Sequence, residues 1–161
     1  MNLFKYRFKL TIQFLFVIIF FSTLQAKNLD NFNDEDNISD YFSGILLLNE
    51  KEYSESYKFL KKLNGLEESH INYSSKYLYS LVNSGKITEA VNYAKKLEKK
   101  NLDNYESNLI IGIYYLRNKQ FELAQKYFQR LKDSNTRFLL NNYISKSLSN
   151  WSSLGNLNLS D

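Results

Sequence analysis

The sequence predicts an all-α fold in which antiparallel helix hairpins stack as a solenoid. The main observation is a residue pattern that recurs every 34 positions. It comprises Gly44, Leu78 and Gly112; Tyr53, Ile87 and Phe121; Ser56, Ala90 and Ala124; and Leu63, Leu97 and Leu131. The apolar residues between these positions have helical spacing, and the chain has no Pro and only 5 Gly to signal β-turns. A single hairpin of this length cannot bury its apolar face, so copies must stack.

Residues 1–26 have the pattern of a secretory signal peptide. Lys5, Arg7 and Lys9 form a positive start, the segment 10–24 is almost wholly apolar, and Ala26 ends a plausible cleavage site. The alternative is an uncleaved membrane anchor formed by residues 10–24, although that run is shorter than the roughly 20 residues of a typical membrane-spanning helix.

An acidic segment, residues 27–38, follows the leader. Its low hydrophobicity and like charges predict a disordered linker. A calcium loop is the alternative, but the segment lacks the Gly and the late Glu of an EF-hand. Removing the leader reduces the 21 Lys and Arg to 18, against 17 Asp and Glu. The near-neutral remainder argues against nucleic-acid binding, which needs a concentrated basic face.

Three repeats are predicted next, over 39–70, 71–104 and 105–136. We expect their helices at 39–49 and 53–64, 71–84 and 87–99, and 105–118 and 121–132. Gly65 and Gly85 mark helix ends, since Gly tolerates the left-handed conformation there. Residues 137–161 have two interpretations. They form either a capping helix, at about 137–152, or the start of a truncated fourth repeat with its turn at Gly155.

The pattern resembles the tetratricopeptide repeat, a 34-residue helix–turn–helix unit. The resemblance covers residues 37–136 and is clearest in the third copy, at Ile111, Gly112, Tyr115, Phe121, Ala124, Phe128 and Leu131. It implies a right-handed α-solenoid whose first helices line a concave binding face. The chain departs from the family at its usual Trp, replaced by Asp40, Ser74 and Asn108, and at its usual Pro, replaced by Glu68, Leu102 and Thr136.

The sequence shows no catalytic constellation, so we expect no enzymatic activity and no cofactor. With no Cys and one His, His70, a zinc site cannot be assembled. His70 is expected at the surface of an inter-repeat connection. Acidic residues on the helices are expected to pair with nearby lysines in solvent; they are Glu55, Glu89, Glu98 and Glu122.

The family resemblance implies a partner-binding groove on the concave face. Its candidate residues are Tyr41, Ile45, Asn49, Ser75, Lys76, Tyr79, Asn83, Leu109, Ile113 and Arg117. Alternatively, Ile45, Leu109 and Ile113 only pack within the solenoid. Among the positions where some family members clamp a peptide carboxylate, only Lys76 is basic, and Glu106 would repel such a group. Peptides with free and amidated C-termini should therefore bind equally.

The favoured function is an exported, periplasmic scaffold that binds a protein or peptide partner of unknown identity through the concave face. It needs no metal and contacts the membrane only if the leader stays attached. The alternative is the recruiting or regulatory fragment of a larger envelope enzyme or assembly machine. A scaffold tethered by the uncleaved leader is a third interpretation.

Overall fold

A computed structural model describes residues 35–70, 72–133 and 139–157. Within these ranges the chain is all-α, with seven α-helices, one short 3-10 turn and no strand. The α-helices are α1 (Glu35–Asn49), α2 (Tyr53–Lys62), α3 (Tyr73–Asn83), α4 (Ile87–Lys99), α5 (Tyr105–Arg117), α6 (Phe121–Asp133) and α7 (Leu139–Leu157); the 3-10 turn is Leu66–Glu68. The predicted leader, and residues 27–34 of the predicted linker, lie outside the described residues.

Each helix packs against the next one along the chain, and α3 also contacts α5. The links α1–α2, α3–α4 and α5–α6 are only three residues long, so these pairs form antiparallel hairpins. The expected all-α fold with packed neighbouring helices is confirmed. None of the helices in the described part of the chain is long and apolar enough to cross a membrane.

The three hairpin turns share one backbone geometry, which falls at the same position of each repeat. Lys51, Gly85 and Lys119 have φ values of 65°, 75° and 57°. The amide that follows each of them donates to a carbonyl five residues earlier, as in Glu52 to Leu47 at 2.9 Å. This is the Schellman helix ending, which usually places Gly at the left-handed position. Two of the three turns therefore hold lysine in a conformation that favours glycine.

The helices of each hairpin cross closely at small residues. Ser56, Ala90 and Ala124 are fully buried, and the Ser56 hydroxyl donates to the Gly44 carbonyl at 2.7 Å. A Cβ at Gly44 would lie 2.7 Å from the Leu60 side chain.

A second pair of positions exchanges large and small residues between hairpins. The first hairpin has Gly44 on its first helix and Leu60 on its second, and the third has Gly112 and Phe128 in the same places. The second hairpin instead has Leu78 and Ala94, both fully buried. Each crossing combines one large side chain with a small residue, which keeps the packed volume similar.

Polar contacts connect successive second helices at a regular offset. The Tyr57 hydroxyl donates to Glu89 at 2.7 Å, Lys96 donates to the Asn64 side chain at 2.7 Å, and Arg130 donates to Glu98 at 2.6 Å. The offset along the chain between the partners is the same in all three pairs. The expectation that Glu98 would have a neighbouring lysine as its partner is therefore wrong, because the third hairpin supplies Arg130.

Two helix boundaries differ from prediction by more than two residues. Helix α1 begins at Glu35, inside the predicted linker, because acidic residues in the first turn favour a helix N-terminus. Helix α7 ends at Leu157 and continues through Gly155, where the fourth-repeat interpretation expects a turn. A Cβ at Gly155 would lie 2.5 Å from the Phe121 ring, so this glycine allows α7 to approach the start of α6.

Candidate functional site

The cleft with the most mixed chemistry lies where the three hairpins meet, and we name it the central cleft. It encloses about 450 Å³. Its lining comprises Leu48, Asn49, Lys51, Tyr53, Ser75, Lys76, Tyr79 and Glu106. The end of α1, the α1–α2 turn, the start of α2, the middle of α3 and the start of α5 all contribute, so the cleft depends on the relative placement of three hairpins.

Two tyrosines form the aromatic part of the central cleft. The rings of Tyr53 and Tyr79 are 5.9 Å apart and nearly perpendicular, an edge-to-face arrangement. Tyr79 is 51% exposed, so much of its surface is available to a ligand. A tyrosine offers a large apolar area with one polar tip, which suits it to binding.

The charged groups of the central cleft are two ammonium groups and one carboxylate. Lys51 and Lys76 are both exposed, whereas Glu106 is half-buried. The Ser75 hydroxyl donates to Glu106 at 3.0 Å and accepts from the Asn104 amide at 3.2 Å. Asn104 also caps α5 by accepting from the Ser107 amide at 2.9 Å. The carboxylate is thus held in place by the same residues that fix the start of α5.

The structure distributes the sequence-predicted groove residues over several environments. Four of them line the central cleft: Asn49, Ser75, Lys76 and Tyr79. Three are partly buried against the hydrophobic core: Tyr41, Ile45 and Leu109. Ile113 is 46% exposed, and the amide of exposed Asn83 donates to the Tyr79 carbonyl at 2.8 Å.

Arg117 lies apart from the central cleft. It lines a second cleft of about 330 Å³ between α4 and α5. There the Lys95 ammonium sits 4.7 Å from the centre of the Tyr114 ring, a cation–π contact. Arg117 and Tyr79 therefore belong to two different surfaces.

Sequence reasoning missed two residues of the central cleft: Lys51 and Tyr53. Lys51 lies in the short polar stretch between the first two predicted helices, and Tyr53 belongs to the recurring packing pattern. Glu106 was expected on the groove face, as a charge that would repel a carboxylate. Lys51 and Gly85 occupy the same position of successive repeats. Because Gly85 indicates a left-handed turn, this register could have placed Lys51 at the corner of the first hairpin.

A buried ion cluster lies between the first two hairpins. Glu67 is buried, and its carboxylate pairs with Lys96 at 2.7 Å and Lys100 at 3.1 Å. Burial by itself raises the pKa of Glu67. Hydrogen bonds from Lys96, from the backbone at Glu67 and Gly65, and from Lys100 outweigh this effect and lower the pKa to about 2. A perturbed carboxyl can mark a functional site. Here the charge is satisfied by its neighbours, and Glu67 does not line the central cleft.

His70 is half-buried rather than at the surface as expected. Its ring lies 4.8 Å from that of Tyr41, and its Nδ1 atom is buried without a hydrogen-bond partner. The described residues contain no group of three or more His, Cys, Asp or Glu side chains able to hold a metal ion.

Comparisons with protein-family models, curated proteins and solved structures gave no match to this chain. The central cleft is therefore the best indication of function. It offers an exposed aromatic surface, two positive charges and one fixed negative charge, which together suit noncovalent binding of a polar and aromatic segment.

Proposed function

We propose that this chain is a tetratricopeptide-type scaffold that binds an extended peptide segment of a partner protein in the central cleft. The observation that carries the proposal is the composition of that cleft, in which exposed Tyr79, Lys51 and Lys76 lie together on surfaces from different hairpins. A long partner segment could contact all of these surfaces at once.

Support for the repeat assignment comes from backbone and packing features that recur with the period of the sequence pattern. Left-handed turns occur at Lys51, Gly85 and Lys119. Helices α2, α4 and α6 begin at Tyr53, Ile87 and Phe121. A stack of such hairpins is compatible with a right-handed solenoid whose first helices form the concave side, as the family resemblance implies.

The lining specifies the chemistry of the partner segment. An apolar or aromatic side chain would pack against Tyr79, and an acidic side chain would approach Lys51 and Lys76. The fixed carboxylate of Glu106 would accept a hydrogen bond from the backbone or from a polar side chain of the partner. The expected ligand is therefore a mixed acidic and aromatic peptide, and a purely basic one would be disfavoured.

Selection of binders from a displayed library of random peptides would test this proposal. Tyr79→Ala should weaken binding of a selected peptide by roughly 30-fold, since a central aromatic contact is often worth about 2 kcal/mol. Lys76→Ala should weaken binding of the peptide by about two- to fivefold, and by less at high salt, because exposed ion pairs are weak and screened.

Helix α7 provides matched controls for both substitutions. Tyr143 and Lys146 have the same three-residue separation as Lys76 and Tyr79, and both are exposed. Tyr143→Ala and Lys146→Ala should leave the affinity unchanged. Equal losses from the α3 and α7 variants, or a library that yields no binder, would refute the proposal.

Peptides with free and amidated C-termini provide a second comparison. Lys51 adds a positive charge that the sequence analysis did not include, but Glu106 lies in the same cleft. We therefore propose that the cleft holds an internal segment of the partner and that the two peptide forms bind equally. A strong preference for the free acid would assign the cleft to chain ends instead.

The site of action is proposed from the leader pattern in residues 1–26, which favours export to the periplasm. Mass spectrometry of the chain recovered from expressing cells would test this. A product that begins at Lys27 supports export and cleavage, whereas retention of residues 10–24 supports the membrane-anchored alternative.

A further inference from the structure

Helix α1 exposes a row of large apolar side chains, which we name the α1 ridge. Ile38, Phe42 and Leu46 are spaced by four residues, so they lie on one face of the helix. All three are more than half exposed, and Phe42 reaches 66%. Neighbouring large apolar residues at this exposure are a common sign of an interaction surface.

In α3 this side is covered at one ridge position and open at the other two, since Asn72 and Lys76, in the register of Ile38 and Phe42, are exposed. Leu46 is 58% exposed, whereas Ser80, at the same position of the second hairpin, is fully buried. Ser39 is exposed, whereas Tyr73 and Ser107 at the same register are fully buried. In α3 and α5 the preceding hairpin packs against the helix. Among the described residues, no helix precedes α1.

The last helix contributes an apolar cleft at the other end of the described chain, which we name the terminal cleft. It encloses about 500 Å³, and its lining comprises Leu116, Phe121, Trp151, Leu154 and Gly155. Trp151 is 68% exposed. A cleft lined by these residues is suited to apolar side chains that project from a helix.

The charges of the two helices are complementary. The charged residues of α1 are all acidic, namely Glu35, Asp36 and Asp40, and Asp40 pairs with Lys62. The single charged residue of α7 is Lys146. Pairing α1 with α1 would bring acids together, and pairing α7 with α7 would bring two lysines together. Pairing α1 with α7 avoids both of these like-charge contacts.

We propose that copies of this chain associate head to tail, with the α1 ridge of one copy in the terminal cleft of the next. This contact joins two different surfaces, so it leaves a free ridge at one end of a dimer and a free cleft at the other. Growth beyond the dimer follows unless a ring closes. The proposal does not depend on peptide binding, because the central cleft is lined by other residues.

Analytical ultracentrifugation of the chain recovered from expressing cells would test this over a wide concentration range. The average mass should rise beyond that of a dimer as concentration increases. Phe42→Glu and Trp151→Glu should each remain monomeric. A mixture of the two variants should form dimers and stop there, because each variant retains one intact surface. Tyr143→Glu, on α7 outside the terminal cleft, should behave like the unmodified chain.

Each alternative result would overturn the proposal. A chain that stays monomeric at every concentration has no such contact. A dimer unaffected by Phe42→Glu indicates α7–α7 pairing, and a mixture that stays monomeric excludes the head-to-tail contact. Thermal unfolding of each variant checks that it is folded, and Leu154→Glu can replace Trp151→Glu if that variant is not.

Discussion

The buried core around α2, α3 and α4 contains several tyrosines and a carboxylate, whereas the core cluster on α6 is apolar, with buried serines on the neighbouring α7. The first includes Tyr57, Tyr73, Tyr77 and Tyr93 and lies beside the charged Glu67. The second is formed by Ala124, Phe128 and Leu131. The buried polar residues of α7 are Ser145, Ser149 and Ser152. The same repeat frame therefore accommodates two kinds of core. One depends on satisfied phenol and carboxylate groups. The other depends on close packing of one aromatic ring and on small serines, of which Ser145 donates to the Phe128 carbonyl at 2.8 Å.

The tyrosine core has a hydrogen-bond partner for several of its hydroxyls. Tyr73 donates to the Leu60 carbonyl at 2.8 Å, and the hydroxyls of Tyr93 and Ser74 are 3.5 Å apart. The rings of Tyr73 and Tyr77 stack at 5.7 Å. Burial raises the pKa of both, so these phenols stay neutral at ordinary pH. The Phe128 ring, by contrast, packs directly against Gly112, where a Cβ would clash with it.

The largest expected effect is in the apolar core. Phe128→Ala should lower the free energy of unfolding by about 3–5 kcal/mol, because it removes a fully buried ring and leaves a cavity. Gly112→Leu should also be strongly destabilising. The double variant recreates the Leu78 and Ala94 arrangement and should recover much of the loss. Chemical denaturation measures all three, and simple addition of the two single effects would contradict the size-exchange interpretation.

Glu67→Gln should have the next largest effect on stability, because it removes the charge beside the tyrosine core. Its pKa lies at about 2 in the folded chain against 4.5 for the unperturbed group, so the carboxylate stabilises the fold above about pH 4.5. This stabilisation, roughly 3 kcal/mol, is lost as pH falls towards 2.

Chemical denaturation of the unmodified chain and of Glu67→Gln, from neutral pH down to about pH 2, measures this difference. The difference between them should be largest near neutral pH and vanish near pH 2. Glu68→Gln is a suitable control, since its side chain is about half exposed and shares Lys100. A pH-independent difference would mean that the charge of Glu67 is not what stabilises this core.

Tyr73→Phe should lower the free energy of unfolding by about 1 kcal/mol, because it removes one hydroxyl and leaves the buried Leu60 carbonyl without that donor. Tyr79→Phe provides the exposed control and should be neutral for stability. Thermal unfolding distinguishes the two variants. If they behave alike, the hydroxyls of the polar core do not contribute as described.

The smallest expected effect is at the turns, which both regions share. Gly85→Ala should destabilise the chain by about 1 kcal/mol, because its φ of 75° is unfavourable for a side chain although nothing lies within 4 Å of the new Cβ. Lys119→Gly should stabilise it by about 0.5–1 kcal/mol for the opposite reason. Equal and same-signed changes would show that the backbone conformation is not the cause.

The sequence predicted the helices well because their apolar residues have a strict period. Helices α4, α5 and α6 begin at the predicted residues. The left-handed conformation of Lys51 and Lys119 was indicated only by their register with Gly85, since lysine itself carries no signal for such a turn. The role of Glu67 is invisible in the sequence, because its partners Lys96 and Lys100 belong to the next repeat and are brought near only by packing.

The candidate site was predicted less completely than the fold. The register located Lys76 and Tyr79 on the open side of α3, where both are exposed. It also selected Ile45 and Leu109, which are partly buried, because helical spacing alone does not determine how far the next hairpin covers a face. Glu106 is held in the cleft by its hydrogen bond with Ser75. This contact joins two separate hairpins, so no local sequence pattern predicts it.

The most direct test of binding in the central cleft is NMR of the isotope-labelled chain during titration with a selected peptide. We expect the largest shift changes at the amides of Lys51, Lys76 and Tyr79, with those of Tyr143 and Lys146 unchanged. Changes confined to α6 and α7, with the central cleft unaffected, would contradict the account.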